Sequence, residues 1–167
     1  MPEPTLKELL YGDGAHANTL GCVEDIPFQL LGSRIENFPH SIWQLVYHMN
    51  FWMEYEWKRI HKELLPYPQR AAESWPGEAA PSSEEEWRKA AARFRDLLAG
   101  FAKLADSPPD FLAQDVPATH PSHANRSSSV LAVLWQTLVH NSYHIGQVAL
   151  LRRALGAWPP KGGGDTW

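Results

Sequence analysis

Apolar residues recur at helical spacing over most of this chain, and the alternation that marks strands is scarce. Three segments carry a strong 3.6-residue pattern and one a weak pattern. The weak one is N-terminal. "PTLKELLYG" reads as a short helix broken at "GDG", and "HANTLGCVED" resumes it with Leu20, Val23 and Ile26 inward. Gly21 weakens that resumption. Residues 26–40 read as a helical turn and a loop stopped by Pro39. The second helix is expected from about Ile42 to Leu64, ending before "PYP". Ser41 caps it, and Gln44 three residues on completes a capping box. Two apolar stripes run along it. One holds Ile42, Val46, Met49, Met53 and Ile60; the other holds Leu45, Trp52, Tyr55 and also His48.

Residues 66–81 contain four prolines and a glycine without periodicity, which predicts a long loop. The third helix begins at "SSEEEW", with Ser83 and Glu86 as a second capping box and an acidic first turn that suits the helix dipole. Trp87, Ala90, Ala91, Phe94, Leu97, Leu98, Phe101 and Leu104 keep helical spacing. After a second long loop, the fourth helix is expected from about Ser127 to Leu155. Gly156 stops it, and Arg152 and Arg153 favour its C-terminal end. Four helices without strands make an all-α four-helix bundle, one domain over residues 1–167, the expected architecture.

One feature disturbs this apolar pattern. In "LVHNSYHIGQVALLRR", His140 and His144 stand four residues apart on one helical face. Their stripe also carries Val133, Thr137, Gln147, Val148, Leu151 and Leu155, so it should face the interior. Buried imidazoles need partners. His48, on the inward stripe between Leu45 and Trp52, is the natural third member. Three neutral imidazoles from two helices suit a divalent ion and leave a fourth position open, as catalytic sites do. Imidazole accepts zinc, nickel, iron and other late first-row ions alike. His16, His40, His61, His120 and His123 fall in loops, turns or helix ends and read as bystanders.

Composition narrows the function classes. The chain has 167 residues, 44% hydrophobic and 20% charged, which suits one globular domain. A net charge of −4 and the lack of a basic run argue against a nucleic-acid partner. No apolar run approaches a membrane span, and nothing reads as a signal peptide, so a cytoplasmic protein is the expectation. Cys22 is the single cysteine, which excludes an internal disulfide and a paired-thiolate metal site. Eight tryptophans suggest large core pieces or an aromatic-lined pocket.

The segments "HSIWQLVYHMNFW" and "HNSYHIGQVALLRRALGAW" resemble those of the DinB-like (YfiT-like) superfamily of metal-binding bundles, and the similarity covers the chain from about Leu6 to the tail. In that family a histidine triad holds a divalent metal, often zinc or nickel; carried over, the triad is His48, His140 and His144. The resemblance implies an up-down-down-up topology with parallel second and third helices. The 66–81 loop must then cross the bundle. Its sixteen residues reach roughly 50 Å extended, against about 35 Å for the second helix. This topology makes Trp52, Tyr55, Trp75 and Trp158 candidate pocket walls, beside Thr137 and Gln147 of the triad stripe.

The best-understood relatives implied by this resemblance transfer low-molecular-weight thiols to electrophiles. A +2 site lowers the pKa of a bound thiol. With Cys22 outside the triad segments, the thiol would come from a cosubstrate. A hydrolase using metal-bound hydroxide is the alternative; it needs a general base, and no carboxylate is read on either triad stripe. A non-catalytic metal-binding scaffold and a metal-free histidine pH switch are the other readings. Leu131, Leu134, Trp135, Leu138, Val139 and Leu150 lie off the histidine stripe, with Gly146 and Ala149 allowing close approach, and a homodimer is expected.

Overall fold

The structure, a computed structural model, describes residues 3–63, 66–119 and 127–163. These residues are mostly helical. Three long helices dominate: α3 (Ile42–Ile60), α4 (Glu84–Ala105) and α6 (Val130–Ala154). Three short ones accompany them: α1 (Leu6–Leu10), α2 (Thr19–Val23) and α5 (Pro109–Leu112). Single 3-10 turns occupy Phe28–Leu30 and Ala71–Ser74. A minimal antiparallel pair joins β1 (Asp115–Val116) to β2 (Ser128–Ser129), which no pattern in the sequence announced.

Local chemistry explains most boundaries. Ser41 and Gln44 form the expected reciprocal box at the start of α3. At α4 only half of the expected box forms. Ser83 accepts from the Glu86 amide, but the Glu86 carboxylate turns outward to the backbone and hydroxyl of Ser82. That carboxylate still satisfies an amide at the positive end of the helix. Helix α3 stops at Ile60, and its expected extension to Leu64 runs beyond Lys62, which takes φ +61°. Leu64 itself lies outside the described residues. Helix α6 begins at Val130, because Ser128 and Ser129 are drawn into the β pair and Ser129 caps the helix. Gly156 takes φ +72° just beyond its end.

Contacts between helices fix their directions. Asn50 Nδ2 donates to the Ala90 carbonyl at 2.9 Å, Glu54 pairs with Arg93 at 3.3 Å, and the Trp57 ring meets Phe101 with centroids 5.7 Å apart. Numbers rise together, so α3 and α4 run parallel. Gly100 permits this approach: a Cβ there would sit 2.6 Å from the Trp57 ring. Between α3 and α6 the order reverses. His48 faces His144, Met53 faces Asn141, and the turn of Glu56 and Arg59 faces Gln136 and Thr137 across a cavity. Those two helices are antiparallel. The core between the long helices holds Met49, Met53, Phe94, Leu98, Phe101, Leu134, Ile145 and Leu151, all essentially inaccessible to solvent.

The short N-terminal helices close the remaining side, α1 against α4 and α2 against α6. Arg152 locks them there. Its side chain is 1% exposed; standing in the last turn of α6 as expected, it also turns inward. Nη1 donates to the carbonyls of Gly21, Cys22 and Glu24 at 2.8, 2.9 and 3.0 Å, and Nε donates to Ala157 at 3.0 Å. Four carbonyls solvate a cation that no carboxylate meets in these bonds. Arg152→Met keeps the volume and removes every donor. It is expected to cost about 2–4 kcal/mol, read as a lower denaturation midpoint at unchanged slope.

Candidate metal centre

His48 projects from α3, and His140 and His144 project from α6 one turn apart. The antiparallel packing of the two helices brings all three together. One ring nitrogen from each lies within 4.8 Å of those of the other two. The Nε2 atoms of His48 and His140 are 3.2 Å apart. Two nitrogens bound to one tetrahedral ion at 2.0–2.1 Å stand about 3.3–3.4 Å apart. The observed 3.2 Å is close to that edge.

The remaining nitrogens are held by neighbours that orient the rings. The Ser74 carbonyl can only accept, so His48 donates to it through Nδ1 at 3.3 Å and keeps a bare Nε2. His144 donates through Nδ1 to Gln147 Oε1 at 2.8 Å, which leaves its Nε2 bare as well. Burial first, and then the neighbouring imidazoles, pull His48 down to about 3. Burial and His144 pull His140 down to about 4, and burial lowers His144 too. All three rings are therefore neutral at neutral pH, the form a metal requires. The donor set fits a late first-row divalent ion held by His48, His140 and His144.

Trp75 buttresses this centre. Its ring stacks on His48 with centroids 3.8 Å apart and planes 10° from parallel. On its other face it stacks on His40 at 3.7 Å and 8°. His40, read from sequence as a bystander, is thus the outer layer of a three-ring stack ending at a candidate ligand. The crossover loop delivers Trp75, and that long-range placement left no local signal. The other reachable bystanders have structural tasks. His16 bridges the Ala17 carbonyl and Ser142 Oγ, and His61 donates to the Trp57 carbonyl at the end of α3. His120 and His123 lie outside the described residues.

Beside His140 opens a cavity of about 440 Å³ between α3 and α6. Of the pocket residues expected from sequence, Trp52 and Thr137 line it. Tyr55 reaches its rim by donating to Thr119 Oγ1. Gln147 serves His144 and Trp75 serves His48, so both act behind the ligands. Trp158 is elsewhere, under the guanidinium groups of Arg152 and Arg153 at 5.7 and 5.0 Å. Position on the tail said nothing about which side of α6 the ring would cover.

The cavity also holds a carboxylate on the His48 side of α3, which corrects the expectation that neither triad stripe carries one. Glu56 is 8% exposed and lines the wall with Arg59, whose Nη1 lies 3.0 Å from it. The signal was present in the sequence: His48, Trp52, Glu56 and Arg59 follow at i+4, i+4 and i+3 along one face. Burial raises the Glu56 pKa, against the opposing pull of Arg59.

With this geometry in place, comparison with known proteins adds the family. The DinB family profile matches residues 1–163. The chain belongs to the DinB family. None of the curated proteins compared with this DinB protein matches it. Its triad geometry predicts one divalent ion per chain, lost on changing any of His48, His140 or His144 to Ala. Gln147→Leu frees the His144 ring, and a roughly 10–100-fold loss of metal affinity is expected, measured by competition with a chromogenic chelator.

Proposed function

We propose that this DinB protein is a metal-dependent enzyme that transfers a low-molecular-weight thiol to an electrophile. Three converging neutral imidazoles at the wall of a 440 Å³ cavity carry the proposal. Zinc or nickel bound there would supply a Lewis acid that lowers the pKa of a coordinated thiol. The chain's residues do the rest. Ser74, Gln147 and Trp75 aim the rings, and Trp52, Met53 and Thr137 wall off the space where two small reactants meet.

The chain's own thiol supports a cosubstrate origin of the sulfur. Cys22 is fully buried, and burial pushes its pKa up to about 11. It is held protonated and out of reach. The rival hydrolase reading gains a specific observation in Glu56, a buried carboxylate in the cavity. That carboxylate already faces Arg59, which weakens its service as a free base. The scaffold reading needs a fourth protein ligand, and the histidine, cysteine and carboxylate groups close enough to share an ion are three among the described residues.

We read the architecture as an up-down-down-up bundle, with α1 and α2 together as its first strut. The parallel α3 and α4 and the antiparallel α3 and α6 support that reading. A homodimer completes it. Leu131, Trp135, Val139, Tyr143 and Leu150 rise along one side of α6, the last three at 62, 66 and 56% exposure. No charged residue interrupts 130–151, and a Cβ at Gly146 would meet nothing. Such an apolar strip favours a self-complementary contact.

Two measurements test these readings. Metal-loaded protein given thiol-plus-electrophile pairs should turn them over, while an ester panel without thiol should stay unreacted; ester cleavage with no thiol activity reverses the choice. By light scattering the particle should have twice the 18.9 kDa chain mass, and Val139→Glu should halve it. A monomeric wild type defeats the dimer.

A further inference from the structure

Five buried side-chain polar atoms have no hydrogen-bond partner among the described residues: Asn50 Oδ1, Glu56 Oε2, Arg59 Nε, Thr137 Oγ1 and Asn141 Oδ1; of these, Glu56 Oε2 is ion-paired, 3.0 Å from Arg59 Nη1. Unpartnered buried polar atoms are rare in folded proteins and cost about 1–3 kcal/mol each. With Glu56 Oε2 held by its ion pair, two of the remaining four, Arg59 Nε and Thr137 Oγ1, belong to residues that line the cavity beside the triad. Glu56 and Thr137 are 8% and 5% exposed, so neither is solvated from the surface. Glu56, Arg59 and Thr137 together make this end of the cavity wall polar.

The charges of the wall say which kind. Glu56 and Arg59 stand side by side as a nearly buried ion pair, and His140 and Tyr67 line the same cavity. An anion entering alone would meet Arg59 but press against Glu56. A cation alone would meet Glu56 but press against Arg59. A ligand with both charges on adjacent carbons satisfies both groups and keeps the site neutral. Thr137 precedes His140 by one turn of α6, so the cavity leads from the ion pair to the triad.

We propose that this cavity binds the amino-acid-type, zwitterionic end of a small thiol, its carboxylate at Arg59 and its ammonium at Glu56. Thr137 supplies a hydroxyl between that end and the triad. The proposal deepens the thiol-transfer reading and rests on it for placing the sulfur at the triad; recognition of the charged end stands on the ion pair itself. Trp52 and Tyr67, with ring centroids 5.8 Å apart, give the aliphatic part of the ligand an apolar wall.

Calorimetric titration of the full-length protein, with and without metal, tests it. Three probes with blocked sulfur separate charge recognition from metal chemistry: S-methyl-L-cysteine, its methyl ester, and its N-acetyl derivative. The zwitterion should bind at least tenfold more tightly than either single-charge probe in both states. Glu56→Gln should move the preference to the N-acetyl anion, and Arg59→Gln to the ester cation. A variant that merely unfolds loses all three probes and cannot produce this inversion; the wild-type ranking then decides alone. Equal affinities for the three probes, or no zwitterion binding, overturn the inference whatever the metal content and thiol turnover. Zwitterion binding by a protein that holds no metal would uphold it while the transfer reading falls.

Discussion

The antiparallel seam of α3 and α6 is the constraint on which the site depends. It sets His48 opposite one turn of α6 that carries His140 and His144. A slip of one helical turn along that seam, about 5.4 Å, would leave the imidazoles of α6 facing Trp52 or Leu45. Burial makes the rings neutral, and neutrality makes them ligands. The same seam, two turns further along, leaves the gap that forms the cavity.

The seam is held from outside by long-range devices. Trp75 comes from the crossover and clamps the flat of His48, with His40 behind it. Gly32 lets the 26–40 segment lie against the crossover, because a Cβ there would sit 2.4 Å from Ala80. Arg152 draws the carbonyls of the α2 turn onto α6. These elements carry little regular structure, yet they orient the metal ligands and seal the core.

Much of this was legible in the chain. The long helices follow from apolar spacing and from Ser41, Ser83 and Gly156 at their ends. The triad follows from two histidines on an inward stripe and a third on a facing helix. Glu56 was also legible, one turn past Trp52, but a stripe drawn only through apolar positions passes over a carboxylate. Trp158 misled because a tail residue has no periodicity to tell its direction.

The order of residues alone sets which faces of α3 and α6 are buried, and therefore which histidines are neutral and inward. Helical periodicity is a local property, and burial pattern translates it directly into facing. What stands beside those histidines comes from the packing of distant segments: the Trp75 stack, the carbonyl of Ser74, and the Glu56–Arg59 pair in the cavity wall. Those contacts depend on where a long loop lands and how far two helices part, and neither quantity has a period that the chain could display.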